Sequence, residues 1–295
     1  MTPEVSAVIV NYNAGPELRT ALQSIVADMA GHAWEAVVVD NDSIDGSAAI
    51  AAEFTPHVRL VKNTTNVGFG RGVNQGVAAS RAPLVLIMNP DCRLVSGAVG
   101  SLRVELDRHP SCAIVGPRIL DPDGSVQGSA RGDPDMFTGL FGRTGLLRVL
   151  LPSLSVAKRN VVAEAAIADG EPSAVVDWVS GACMLVRRSV FDRVGGFDER
   201  YFMYWEDADL CRRLRRQHYD VRYVPGATAV HRVGHSSQSV RAATIRAFHA
   251  SAYLYYATHV AHGTLNPKRP LARVLLAARC WWQLRNAKVK MQNAN

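Results

Sequence analysis

Two periods alternate along the first ninety residues of the chain. "VSAVIVNY" (5–12) and "EAVVVD" (35–40) are unbroken runs of apolar and β-branched residues, the mark of strands buried on both faces of a parallel sheet. "VRLVKN" (58–63) predicts a third strand, and "APLVLIMNPD" (82–91) a fourth that ends in polar residues. Between them, "PELRTALQSIVADM" (16–29), "DGSAAIAAEF" (45–54) and the glycine-rich "GRGVNQGVAAS" (70–80) carry helical spacing. Ser43 or Asp45 stands where a side chain would cap the second of these helices. Strands alternating with helices through short loops predict right-handed βαβ units, and so an α/β fold with a mostly parallel, Rossmann-like sheet.

From 131 to 172 the period weakens among Gly and Pro, which predicts a surface excursion or flexible loop. Strand spacing resumes over 174–188, and a helix is predicted from about Met203 to Gln217. Strands follow at "VRYV" (221–224) and "ATAVH" (227–231), then helices over 239–260 and 269–290. No formally charged residue lies between Arg246 and Lys268, yet His249, His259, His262 and Gly263 make that stretch a poor membrane span.

Composition narrows the class. With 295 residues, 48% hydrophobic and 20% charged, the chain can bury a sizeable core as a soluble globular protein. Its five cysteines form no C-x-x-C pair, which favours a reducing compartment over a zinc ribbon or disulfide framework. "MTPEVSAVIVNYN" enters a strand pattern at once, so no signal peptide is expected. The net charge of +7 is unevenly placed: all 26 acids lie at or before Asp220, and the last 75 residues hold 11 Lys and Arg with no acid. That basic quarter suits a polyanionic partner, whether anionic lipid, a lipid-linked diphosphate or nucleic acid. Nucleic acid is not expected, because no basic–aromatic platform or zinc spacing accompanies the charge.

Open parallel sheets bind ligands at the carboxyl ends of their strands. Here every first-half strand ends in polar groups: Asn11, Asp40, Asn63, and Asn89 with Asp91. Four such ends predict a polar crevice along one sheet edge. Neither G-x-G-x-x-G after the first strand nor a P-loop occurs, which argues against a dinucleotide dehydrogenase or a P-loop NTPase. Further on, "YFMYWEDADLCRRLRR" (201–216) sets three acids between aromatics and arginines. Helical spacing puts Asp207 with Leu210, Cys211 and Leu214 on one stripe, and Glu206 with Asp209 and Arg213 on a neighbouring one. Glu206 and Asp209 are then expected to be solvated or ion-paired, Asp209 with Arg213. Asp207 lies on the apolar stripe, and the helix alone leaves two roles open for it: a charge at the helix N-terminus, or a partly buried general base.

These segments, taken together from Ser6 to His235, resemble family 2 inverting glycosyltransferases of the GT-A fold. The resemblance rests on "VIVNYN", "VVDNDSIDGS", "NVGFGRGVNQG", "MNPD", "WVSGACMLVRR", "GGFDERYFMYWEDADLCRRL" and a late His231. "NPD" with the "GGFDE" and "EDADL" pieces is most similar to the rhamnosyltransferase-type branch, whose members use a thymidine diphosphate donor. The resemblance implies that Asp207 is the base. It implies that Asp40 holds the nucleoside with Asn11, Tyr12 and Asn13, and that Asn41, Ser43, Asp45, Asn66, Gly68, Arg71, Asn89, Pro90 and Asp91 complete the donor side. Helix capping suits Ser43 and Asp45 equally, and a surface position suits Arg71. Asp91 and His231 would bind a divalent cation, Mg2+ or Mn2+, but Asn89 replaces the first acid of the usual D-x-D and removes one charge.

On the acceptor side the resemblance implies Trp178, Gly181, Ala182, Glu206 and Arg131, with strand packing as the ordinary alternative for the first three. It implies a nucleotide-sugar half over 1–95, an acceptor-binding half over 96–238, and a basic helical region over 239–295. The implied activity is metal-dependent, inverting transfer of L-rhamnose from dTDP-rhamnose to a lipid-linked or polysaccharide acceptor in bacterial envelope synthesis. The alternatives are a galactofuranosyl- or mannosyltransferase, or a catalytically silent nucleotide-sugar binder serving as an assembly partner. The expected location is cytoplasmic, peripheral on the anionic inner face of the plasma membrane.

Overall fold

The computed structural model describes residues 2–133, 172–232 and 241–292. Its first half follows the apolar runs: β1 (Val5–Asn11), α1 (Glu17–Asp28), β2 (Trp34–Asn41), α2 (Ser47–Ile50) with a 3₁₀ turn over Ala51–Phe54, β3 (Val58–Asn63), α3 (Phe69–Ala79) and β4 (Leu84–Met88). β1 lies between β2 and β4, parallel to both, and β3 flanks β2 in parallel. Every residue of β1 is buried, which is why its sequence is apolar from Ala7 to Val10 rather than alternating, and the buried Ser6 is bonded to Glu35. α3 sits directly on this strand. A Cβ at Gly76 would stand 2.4 Å from a methyl of Val8, so glycine there allows the close approach.

The second half continues with β5 (Cys92–Leu94), α4 (Ala98–Arg108), β6 (Cys112–Leu120), β7 (Ala130–Arg131), β8 (Ala174–Val175), β9 (Trp178–Val179), β10 (Cys183–Arg187), α5 (Arg188–Arg193), α6 (Glu206–Arg215), β11 (Asp220–His231), α7 (Arg241–His259) and α8 (Lys268–Gln292). β10 inserts antiparallel between β4 and β6, and β11 runs parallel to β6. The sheet order is β3-β2-β1-β4-β10-β6-β11-β5, with β8 also on β11; β7 and β9 form a separate ribbon. Two predicted strands merge into β11, because the interruption at Pro225 and Gly226 is absorbed by a register shift against β6 between Val224 and Thr228. The single run expected over 174–188 divides instead into β8, β9 and β10. The expected excursion over 131–172 and the division at 238–239 fall almost wholly outside the described residues.

Two apolar layers enclose the sheet. One packs α1 and α4 on it through Leu18, Leu22, Ile25, Leu102 and Leu106; the other packs α3 and α6 through Val73, Val77, Leu210, Cys211 and Leu214. Each such fully buried Leu, Ile or Val contributes about 1.5–3 kcal/mol relative to exposure. α7 covers the outer side of α6, where Tyr255 joins Tyr201 and Ala208 in a third cluster. α8 packs on the end of α7 through Ala272, with Tyr256 and Ala261. Its other side leaves Leu271, Val274, Leu275, Trp281 and Trp282 exposed. Among the described residues no helix is long and apolar enough to cross a membrane.

Candidate active site at the strand ends

The polar strand ends meet as expected, and much of their polarity is turned inward. Asn11, buried at the end of β1, brings its amide nitrogen and two N–H donors within reach of Asp40 Oδ1 (2.7 Å), Ser47 Oγ (2.8 Å) and Ser43 Oγ (3.0 Å). The Ser43 hydroxyl accepts the Asn13 amide, and Asp40 Oδ2 accepts the Ser43 amide at 3.2 Å. Asn13 Oδ1 accepts the Ile44 amide, and Asp45 accepts the amides of Gly15 and Ser47. Burial pushes the Asp45 carboxyl up, but the bonds from Ser47 and Gly15 outweigh it and hold that carboxyl below its usual range. Tyr12 lies half-buried beside them. Asp40 is 4% exposed with one partner on each oxygen, so lone pairs remain for a ligand donor.

A second network adjoins the first. The Asn41 amide donates to Asn66 Oδ1 and to the Gly68 carbonyl, while Asn63 donates to Asn41 and Gln75. Gly68 takes φ 90°, and a Cβ there would lie 2.4 Å from the Phe202 carbonyl; only glycine lets the two halves touch here. The Phe69 amide donates to that same carbonyl at 2.8 Å. Arg71 faces outward instead, 3.6 Å from Glu199, with more than half of its side chain exposed.

Beyond β4, Asn89 and Asp91 meet His231 at the end of β11. His231 Nε2 lies 3.1 Å from Asp91 Oδ1 and 3.3 Å from the Asn89 amide nitrogen, with the buried Pro90 between those two residues in sequence. Gln127, which no sequence pattern singled out, sets the ring from behind through His231 Nδ1 (3.2 Å) and the His231 carbonyl (2.7 Å). Among the described residues no group of three His, Cys, Asp or Glu could hold a metal ion. Asp91 and His231 offer one carboxylate and one imidazole on converging strand ends. That donor set suits a cation whose other ligands are diphosphate or water oxygens.

This cluster is continuous with α6. The Asn89 amide donates to the Ala182 carbonyl at 2.9 Å, and next to Ala182 the Gly181 amide donates to Asp207 Oδ2 at 2.9 Å. Asp207 is half-buried in the first turn of α6, where the helix dipole favours a carboxylate. The chain reaches that turn through Tyr204 (φ 68°) and Trp205 (φ 72°), two successive bulky residues in the left-handed region. Such conformations cost about 1–3 kcal/mol each and persist only where surrounding contacts impose them.

The exposure expected of the other two acids is corrected. Glu206 and Asp209 are 6% and 1% exposed, deeper than Asp207; on the Asp209 flank, His259 of α7 and Arg213, bonded to the carbonyls of Val194 and Gly196, stand where solvent was expected. Asp209 does pair with Arg213 at 2.7 Å, but inside the protein, and it also meets His259 Nε2 at 2.6 Å. Burial, and then the Asp207 charge, push the Glu206 carboxyl well above its usual range; its Oε2 has no hydrogen-bond partner. Trp178 and Arg131 pair across the β7–β9 ribbon, with the guanidinium 5.1 Å from the ring centre. The indole donates to the Gly132 carbonyl and packs beside Tyr201, Ala208 and Tyr255.

Comparison with known proteins agrees with this layout. The family model described as Glycosyl transferase family 2 matches residues 6–165, and Glycosyl transferase family group 2 matches 155–250. The chain is 36% identical over 300 residues to the N-acetylglucosaminyl-diphospho-decaprenol L-rhamnosyltransferase of Mycobacterium tuberculosis, covering 97% of this chain and 95% of that one. Among solved structures, a mannosyltransferase from Pyrobaculum calidifontis in complex with GDP-Man and Mn2+ has TM-score 0.59 at 17% identity, covering 100% of this chain and 75% of its own. GalNAc-T7 with UDP, GalNAc and Mn2+ has TM-score 0.57 at 15% identity, covering 78% of this chain and 44% of its own. The fold is GT-A.

Proposed function

The chain belongs to glycosyl transferase family 2, and on that premise we propose that it moves L-rhamnose from dTDP-rhamnose to a lipid-linked acceptor, with Asp207 as general base. The observation that carries this reading is the unbroken run of contacts from His231 and Asp91 through Asn89, Ala182 and Gly181 to Asp207. On this reading the cation and diphosphate lie on one side of two small residues and the half-buried carboxylate on the other. An inverting transfer needs that separation, because the attacking hydroxyl and the leaving diphosphate lie on opposite faces of the sugar. The acceptor hydroxyl gives its proton to Asp207 Oδ and its electron pair to the anomeric carbon. The bond to the diphosphate breaks, and its electrons leave with the diphosphate.

Donor-side residues bind and orient. Asp40 and Asn11, with Tyr12 and Asn13, hold the nucleoside at the ends of β1 and β2. Asn41 and Asn66 keep the Gly68 turn beside them, and Ser43 and Asp45 shape the loop into α2. Asp91 and His231 would hold a divalent cation, which offsets charge on the diphosphate when bound. The relative's name supports both the rhamnosyl group and a polyprenyl diphosphate acceptor. The Mn2+ and nucleotides named in the two solved structures support the cation.

Such an acceptor sits in a membrane. α8 carries exposed Leu271, Val274, Leu275, Trp281 and Trp282 in a region without acids, which suits peripheral contact with the anionic inner face of the plasma membrane. Each basic side chain near such a surface contributes about 1 kcal/mol. The test of the donor is thermal stability with nucleoside diphosphate sugars, with and without Mg2+ or Mn2+. A ligand at 100 times its Kd stabilises by about 2.7 kcal/mol. dTDP-rhamnose with metal should shift the wild type most, and Asp91→Ala should lose the metal-dependent part. A larger shift with a UDP- or GDP-sugar would overturn the rhamnose assignment.

A further inference from the structure

The aromatic turn that delivers Asp207 is held from outside the sheet domain, by a helix some fifty residues further along the chain. Tyr204 and Trp205 both adopt the left-handed conformation, and neither has glycine's freedom to do so at low cost. α7 meets this turn three times. Phe248 packs on the rings of Tyr204 and Trp205, with centroids 5.7 and 5.8 Å apart. Tyr255 packs on Trp205 at 5.3 Å. The Ser251 hydroxyl donates to the Met203 carbonyl at 2.8 Å.

One turn into α6, the same helix is tied by buried hydrogen bonds. Asp209 Oδ1 lies 2.6 Å from His259 Nε2, with both side chains 1% exposed. Asp209 Oδ2 accepts from Arg213 Nε, and the other Arg213 nitrogens donate to the carbonyls of Val194 and Gly196. Arg212 donates to the Tyr255 hydroxyl and to the His259 carbonyl. A buried ionic network of this kind earns little net stability but permits few geometries. Asp207 lies between the aromatic turn and Asp209, so both anchors act on the residue that must be aligned.

From this we infer that His259 is a positioning residue for sugar transfer: through Asp209 it locks the first turn of α6 and so aims Asp207, which makes α7 part of the catalytic apparatus. His259 touches no reacting atom. The inference rests on the assignment of Asp207 as the base. A misplacement of about 1 Å imposed from a distance can lower turnover by roughly 100-fold.

The experiment compares full-length wild type with His259→Leu, His259→Gln and Asp207→Asn. Single-turnover transfer from dTDP-rhamnose to a polyprenyl diphosphate-N-acetylglucosamine is measured beside donor affinity and amide hydrogen exchange. His259→Leu should lower the transfer rate by about 10- to 100-fold with donor affinity unchanged. Amides of Trp205–Asp209 should exchange at least about tenfold faster while those of β1 and β4 keep their protection. His259→Gln, which restores an N–H donor, should recover most of both. Exchange at Trp205–Asp209 that is unchanged in His259→Leu, or raised equally across the sheet, overturns the inference with or without transfer data. If Asp207→Asn transfers normally, the base assignment fails; if it is inactive while His259→Leu is fully active, only the positioning role fails.

Discussion

The two regions of the candidate active site bury their polar groups with different partners. At the donor-side strand ends, Asn11, Asp40, Ser43, Ser47 and Asn41 bond through side chains and nearby amides at the ends of adjacent strands and the loops that follow them, with Asn11 Oδ1 left buried without a partner. At the acceptor side, three acids crowd the first turn of α6. One of them, Glu206, keeps a buried oxygen without a partner, and the turn before it is strained. The first region is a stitched polar floor that a nucleotide can rest on. The second holds its charges in place with a distant helix. Left-handed residues occur in both regions, at Asn13 and Asp42 as well as at Tyr204 and Trp205, but the α6 turn combines two successive bulky ones with an acid raised by burial, a pattern expected of a catalytic centre.

Four substitutions would break or sharpen that contrast. Asp207→Asn keeps the bond from Gly181 yet removes the proton acceptor. Positioned bases contribute about 10²–10⁴-fold, so single-turnover transfer should fall by that factor while donor affinity, set at the other region, stays within error. Near-native transfer would refute the base.

Asp209→Ala addresses the stitching rather than the chemistry. Removing one partner of a buried ion pair costs about 3–5 kcal/mol, so chemical denaturation should show a loss near 3 kcal/mol. The exposed i,i+4 pair expected from helical spacing alone would lose under 1 kcal/mol, and such a result would mean α7 does not cover α6 in solution.

Gly181→Ala separates room from stability. Its Cβ would lie 3.4 Å from Asp207 Cβ and 3.6 Å from Oδ2, ordinary contact distances, so unfolding should be unchanged. If the proposed base receives the acceptor hydroxyl beside Gly181, the added methyl crowds that approach, and transfer should fall about tenfold through acceptor KM. An equal loss in donor affinity would place the acceptor path elsewhere.

Glu206→Gln should give the smallest effect and one that depends on pH. Burial raises the Glu206 carboxyl, so its neutral form favours the folded state. That contribution is whole below the unfolded carboxyl pKa of about 4.3 and is lost as pH rises through the raised value. Glutamine stays neutral throughout. The Tm of the variant should therefore gain on wild type as pH rises from 4 to 8; a constant difference would show that Glu206 carries no unusual proton.

Some of this was legible before any coordinates. Apolar and β-branched runs are clear when a strand is buried, so β1, β2 and β3 match their expected bounds to within a residue, while β4 spans Leu84–Met88 inside the longer run expected over 82–91. α4 and β6 were not assigned from the pattern, although Ala98, Val99, Leu102 and Leu106 recur at helical spacing along α4. His259 and Gln127 carried no signal at all, because each acts only by arriving next to a residue far away in sequence.

The amino-acid sequence alone determined the parallel donor half and the family, since both depend on short-range periodicity and on residue types at fixed spacing. It also put three acids at the start of one helix. Which of them meets the small residues of the crevice, and which meets α7, was decided only by tertiary packing. A helix has one solvent side when a single layer lies against it, and α6 is covered from two directions. Exposure there is a property of the neighbours, and no period within residues 206–215 contains it.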